Sequence, residues 1–317
     1  MSGTLVIIIL VAVTAGPVLV SFAVEGLRTD PKAPATLSWS PDLAMQFAHV
    51  GAMRLRYVKA GQGPPLVLLH TLRTQLDLFQ KIFPELGKTF TVYAVDYPGH
   101  GWSDIPATQY TPAFFIDSVA RFLEDQHIEK ATVAGVSIGA TISLLLAARQ
   151  HPAIDRVIAI NPYDYARGLG IARANLVARV IFTLALVPIV GETVMRLRNA
   201  LLETRIMQGG VADPAALPHA FLRESYAVGC RRGHYRAFLT LIRNAYRWDG
   251  AHSDYGKISR PVLVVYGDKD WSRQPERDST FRKIPGARLE VVKNGGHFLP
   301  LDRPHELLQL ILAFARG

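Results

Sequence analysis

The segment Gly135-Val136-Ser137-Ile138-Gly139 constrains this chain more than any other. It reads G-x-S-x-G and falls between two contrasting patterns. Before it, Ala131-Thr132-Val133-Ala134 is short and apolar, the pattern of a buried strand. After it, residues 140–149 form an apolar run suited to a helix. A serine on a sharp strand-to-helix turn holds its hydroxyl exposed above a sheet. The helix N-terminus supplies free N–H groups and partial positive charge beside it, and the flanking glycines permit the tight turn. Ser137 is therefore expected to be a nucleophile, carried by a strand–helix unit of an α/β protein.

A serine hydroxyl is a weak nucleophile until a base takes its proton, and that base must be oriented by a third group. Two downstream loops offer such groups. Residues 261–266 read as a buried strand and lead into Gly267-Asp268-Lys269-Asp270. Residues 288–292 read as another strand and lead into Lys293-Asn294-Gly295-Gly296-His297. Both loops follow strand C-terminal ends, where the active sites of open α/β sheets collect. His297 is the candidate base; Asp268 and Asp270 are both candidates for the acid, and Asp is also a common turn former.

With these motifs in place the chain resembles the α/β-hydrolase superfamily, in the serine-nucleophile branch with a helical cap, from about Leu43 to the C-terminus. The family's Ser, then Asp or Glu, then His order matches Ser137, Asp270 and His297, and its usual G-x-x-D spacing selects Asp270 over Asp268. Residues 66–70, ending in His70, resemble the strand that carries the family's oxyanion loop; Thr71 stands where glycine is commonest. By matching position, the backbone N–H groups of Leu72 and Ile138 are expected to form the oxyanion hole, with His70, Thr71 and Arg73 as substrate contacts. Arg73 either enters the pocket mouth, points to solvent, or pairs with Asp77. The run from Tyr93 to Ser103 matches the family's D-x-x-G-x-G-x-S segment, which is largely structural, so Asp96 and His100 are expected to shape a loop.

The 317 residues accommodate one large domain or two small ones. The alternation of strand and helix patterns favours one α/β core. Eight strands are expected, near 46–50, 54–59, 65–69, 91–96, 131–135, 156–160, 261–266 and 288–292. The first two lack a long spacer and are expected to pair antiparallel; the rest have helix-length connections, as parallel crossovers require. The expected fold is thus a mostly parallel eight-stranded sheet with helices on both faces. Cys230 is the single cysteine, which excludes an intrachain disulfide. There is no zinc-like Cys/His spacing and no phosphate loop, so neither metal nor cofactor is expected.

Residues 4–24 contain no charge and are dominated by Ile, Leu, Val and Ala. As a helix they would reach about 31 Å, close to the hydrocarbon thickness of a bilayer. Residues 1–24 are expected to form a membrane anchor, 25–42 a tether, and 43–317 the hydrolase domain. A cleaved signal is the rival, with Ser21-Phe22-Ala23 as its cleavage site. Arg28 and Lys32 follow the run and no Lys or Arg precedes it, so the positive-inside tendency places the catalytic domain in the cytoplasm.

After Asn161-Pro162 the strand pattern stops until Arg260-Pro261, and helix-like stretches near 171–187, 192–207, 217–228 and 233–246 fill the gap. In the family an insertion here, about 162–250, forms a cap over the serine. From Asn161 to Gly250 there are twelve Arg, no Lys, and six Asp plus Glu. These arginines either cover a solvated surface or face anionic headgroups or an anionic substrate. The apolar run 180–190 either fills the cap core, lines an acyl pocket or dips into a membrane. A pI near 9.7 is compatible with nucleic acid, but no reader motif accompanies it.

The resemblance implies ester or thioester hydrolysis of a small or lipophilic substrate. Carbon–carbon hydrolysis, acyl transfer, cofactor-free peroxidase chemistry and a non-catalytic binding role are alternatives on the same fold. Dehalogenase and epoxide hydrolase chemistry is disfavoured, because those relatives place Asp at the position of Ser137.

Overall fold

The computed structural model describes residues 3–316, with side chains from residue 15 onward. Its centre is one eight-stranded sheet in the order β1-β2-β4-β3-β5-β6-β7-β8. The strands are β1 Met45–Val50, β2 Met53–Ala60, β3 Pro65–Leu69, β4 Thr91–Val95, β5 Ala131–Val136, β6 Ile154–Ile160, β7 Val262–Gly267 and β8 Arg288–Val292. The β1–β2 and β2–β4 pairs are antiparallel, and every later pair is parallel.

The helices are α1 Gly3–Gly26, α2 Phe83–Leu86, α3 Pro112–Asp125, α4 Ile138–Ala148, α5 Leu176–Ala185, α6 Val190–Arg196, α7 Ala200–Gln208, α8 His219–Cys230, α9 His234–Arg243, α10 Gln274–Arg282, α11 Leu299–Asp302 and α12 Pro304–Ala315. All eleven residues of α4 are buried, which explains its nearly unbroken apolar sequence. Strand β5 is likewise buried along its whole length, as a central parallel strand must be.

Chain order reverses between β3 and β5. The connection after β3 leads outward to β4, and the chain then returns to β5 on β3's other side. Open α/β sheets leave a crevice at such a switch point, and the Ser137 turn lies at its rim.

The insertion between β6 and β7 carries α5 to α9. It breaks into shorter helices than the pattern predicts. The first stretch begins as a 3-10 turn, Gly170–Arg173, and α5 starts where the Asn175 side chain accepts from Ala178 N–H. The second divides at residues 197–199, because the Asn199 side chain accepts from Leu202 N–H and starts α7. Asparagine side chains replace backbone partners in this way, favouring helix starts over helix interiors.

Among the described residues no helix is long and apolar enough to cross a membrane. The expected anchor at 4–24 falls largely on residues 4–14, whose side chains lie outside the described residues.

Candidate active site

Ser137 closes β5 and begins α4 with φ 60° and ψ −118°, a conformation costing about 1–3 kcal/mol for a residue with a side chain. Close packing enforces it. A Cβ on Gly135 would strike the Gly139 backbone, and a Cβ on Gly139 would strike the Leu69 carbonyl. The elbow is thereby pressed against the end of β3, and Ser137 N–H donates to Ile160 O at 2.8 Å. The hydroxyl is buried and has no hydrogen-bond partner in the protein.

His297 Nδ1 lies 2.5 Å from Asp270 Oδ1, and both side chains are fully buried. His297 Nε2, like Ser137 Oγ, is buried without a partner. The other carboxylate oxygen of Asp270 accepts from Ser272 N–H at 2.9 Å and from the Ser272 hydroxyl. Burial pushes the Asp270 carboxyl up, but His297 and the Ser272 donors prevail and its pKa lies below the ordinary value. Asp268 is exposed, and the His297 Nδ1 partner is Asp270; the Asp268 N–H serves the β8 side of the turn through Val292 O.

Two residues near this pair gave no sequence signal. Trp271 stacks on the His297 ring, with centroids 3.7 Å apart and planes 13° apart. Its indole N–H donates to Gly209 O in the cap at 2.8 Å. Asn161, just after β6 with φ 48°, ties together the loops that carry Asp270 and His297. Its amide donates to Gly296 O and His297 O, each at 3.1 Å, and accepts from Gly267 N–H at 2.9 Å. The Asn161-Pro162 pair in the sequence marks only a strand end.

The loop after β3 departs from its expected role at His70. That ring is fully buried, its Nδ1 donating to Thr71 O at 2.8 Å and its Nε2 accepting from Tyr97 N–H at 3.3 Å. Both nitrogens are committed to backbone, so His70 shapes the loop instead of meeting substrate. Burial lowers its pKa to about 4. Thr71 Oγ1 is buried and unpartnered. Leu72 follows it, and Ile138 is the first residue of α4.

Arg73 does not pair with Asp77. Its Nη2 meets Glu203 of α7 at 2.8 Å, and its guanidinium lies over the Phe238 ring at 5.4 Å. Glu203 also accepts from the Ser225 hydroxyl at 2.7 Å. Asp77 instead receives Arg56 at 3.0 Å and the Trp39 indole at 2.8 Å. Arg73 lines a narrow apolar cavity of about 60 Å³, with Phe182, Met195, Ile206, His234 and Phe238 among its walls. Ser137 is not among those walls.

Asp96 is a framework residue. It accepts from Arg56 Nε at 2.5 Å, Leu76 N–H at 2.7 Å and Trp102 N–H at 3.0 Å. His100 is buried with its Nε2 unpartnered, and burial followed by the charge of His70 lowers its pKa to about 3.

Many cap arginines are clamps rather than a free basic face. Arg173 pairs with Glu276, Arg198 with Glu25 and Arg243 with Glu192. Arg231 donates to Gly101 O and Ser103 O at 2.5 and 2.8 Å. Among the described residues no cluster of His, Cys, Asp or Glu could hold a metal ion.

Residues 64–304 match the family described as alpha/beta hydrolase fold. A carboxylesterase of Bacillus subtilis is 24% identical over 258 residues, covering 80% of this chain and 81% of that protein. A haloalkane dehalogenase of Mycobacterium marinum is 26% identical over 286 residues, covering 83% and 89%. The crystal structure of Cfl2 from Burkholderia cenocepacia superposes with a TM-score of 0.78 at 22% identity, over 89% of this chain and 98% of that one. The fold, the elbow and the match over three quarters of its length make this chain a member of the α/β-hydrolase fold family.

Proposed function

We propose that the protein is a serine hydrolase that cleaves an ester or thioester of a small or lipophilic acyl substrate. One observation carries this reading: Ser137 is held in a strained elbow with a buried, unpartnered hydroxyl, while His297, backed by Asp270, keeps its Nε2 equally unpartnered. A nucleophile and a base that are both left free are suited to act on a third molecule.

In this reading Ser137 Oγ attacks the acyl carbonyl as His297 Nε2 accepts its proton. Asp270 holds Nδ1–H and stabilises the imidazolium that forms. The backbone N–H groups of Leu72 and Ile138 receive the oxyanion; losing one such donor costs about 2.7–4 kcal/mol. His297 then protonates the leaving group, and the base activates water to release the acid. Ser137 argues against the alkyl-enzyme chemistry of dehalogenase and epoxide hydrolase relatives, which attack with aspartate. Residues 4–24 are proposed as a membrane anchor with the catalytic domain in the cytoplasm, on the strength of their uncharged length and the basic residues that follow.

The test is a fluorophosphonate probe with a panel of p-nitrophenyl esters of increasing chain length. Labelling confined to Ser137 and turnover abolished in folded Ser137→Ala are the expected results. Unchanged turnover in that variant would remove Ser137 from the mechanism.

A further inference from the structure

Leu186, Val187, Pro188 and Ile189 form an exposed apolar turn between α5 and α6, and Val190, the first residue of α6, is exposed beside them. Leu176 and Val180 extend this exposure along α5, one helical turn apart. Arg179 and Thr183 are exposed among them, so the apolar surface is unbroken only over residues 186–190; soluble surfaces seldom present five exposed apolar residues in a row without a use for them. Nor is the turn loose. Ile189 sits at φ 69°, a region that β-branched residues avoid. Arg243 fixes the segment from behind, through Ala185 O at 3.2 Å and Glu192 at 2.5 and 3.0 Å.

The same part of the cap grips α1. Helix α6 packs along α1. The Arg196 guanidinium lies over the Phe22 ring at 3.8 Å and donates to the buried Ser21 hydroxyl at 3.4 Å. Arg198 pairs with Glu25 at 2.7 Å. Leu19, Val20, Phe22, Val24 and Leu27 remain exposed.

The depth of this grip matters. Ser21 lies three residues inside the apolar run that ends at Val24, about 4.5 Å along a helix axis. The headgroup layer on each side of a bilayer is about 5–7 Å thick. If residues 4–24 fill the hydrocarbon, the grip at Ser21 lies past the whole headgroup layer and about 4.5 Å into the hydrocarbon, so the cap is carried into the leaflet with α1. Charge agrees with this placement: where the apolar run gives way to Glu25, a cleft is lined by Arg28, Arg196, Arg232 and Arg236 against Glu25 and Asp30.

We propose that this face is a bilayer-docking surface, on which the α5–α6 turn and the outer side of α5 enter one leaflet beside α1 while the arginine cleft takes anionic lipid headgroups. The proposal rests on the membrane anchoring inferred above and adds that the cap, not the helix alone, meets the lipid.

The test uses the full chain, Cys230→Ser, reconstituted in vesicles of phosphatidylcholine and phosphatidylglycerol at about 3:1. An environment-sensitive fluorophore is placed on Val187→Cys, Leu176→Cys or Glu129→Cys. Glu129 precedes β5, at the end of the sheet away from the cap. Spin-labelled lipid should quench positions 187 and 176 several-fold and leave 129 unaffected. Omitting phosphatidylglycerol, or combining Arg232→Gln with Arg236→Gln, should weaken quenching at 187. If the protein floats with vesicles but 187 is quenched no more than 129, the docking face is overturned and the anchor stands. A chain that does not float overturns both. The readout needs no turnover, so neither outcome bears on Ser137.

Discussion

Trp271 lies flat against His297, ring over ring at 3.7 Å. The residue next to Asp270 thus covers one face of the His297 ring, while its indole N–H reaches Gly209 in the cap. The stack shields one face of the imidazole, and the indole ties that stack to the cap; in the proposed mechanism this orients the base. Trp271→Ala should lower kcat by about 10- to 100-fold, the scale on which small misplacements of reacting groups act. Trp271→Phe keeps a flat face and should recover most of the loss. Both are measured as ester kcat and KM beside circular dichroism; equal activity in Trp271→Ala and the parent would leave the stack with no part in orienting the base.

Asp270 and Asp268 are two residues apart but face different surroundings. Asp270→Asn should cost about 10³- to 10⁴-fold in kcat, since an amide cannot hold the imidazole in its working tautomer. Asp268→Asn should stay within about twofold, because its side chain is exposed and away from the base. The reverse ranking would reassign the acid.

Arg73 and Glu203 join the core to the cap with both side chains nearly buried, 12% and 8% exposed. Removing one partner strands the other charge, whereas removing both does not. Arg73→Gln and Glu203→Gln should therefore each destabilise more than expected from the double variant, with a coupling of about 0.5–3 kcal/mol in urea unfolding. Because Glu203 already neutralises the guanidinium, the ratio of kcat/KM for matched anionic and neutral esters should change less than about twofold in Arg73→Gln. A large loss of anionic preference would instead make Arg73 a selectivity residue.

Burial holds His70 and His100 neutral, with pKa values of about 4 and about 3. In the unfolded chain each returns to about 6.5. Below that pH the unfolded state binds protons the folded state refuses, so stability falls as pH drops from 6.5 toward 4 and 3. Each histidine removes about 1.4 kcal/mol per pH unit across its window. Urea midpoints at pH 7, 6 and 5 should decline steadily, and His100→Gln should flatten the decline. A midpoint independent of pH over this range would contradict the burial of both rings as neutral groups.

The sheet was legible because its signals are local. Period, apolar runs and turn residues are properties of neighbouring positions, and β5, the elbow and α4 form one short stretch that carries its own geometry. The loops after β7 and β8 announced themselves in the same way. Cap helix boundaries did not, since Asn175 and Asn199 choose between capping and continuing a helix according to what their surroundings allow.

What only the tertiary structure decided is where side chains from distant segments meet. Asp270 was selected over Asp268 by family spacing, but its contact with His297 arises from the pairing of β7 with β8. His70 looked available beside the oxyanion loop until Thr71 O and Tyr97 N–H claimed both its nitrogens. Arg73 finds Glu203 across 130 residues, and Asn161 binds two loops more than 100 residues away. A sequence displays which groups a chain owns and which local shapes it favours. The partners of a buried polar group follow from the long-range packing that removes it from water, because there each such group must find a partner or remain free for a substrate.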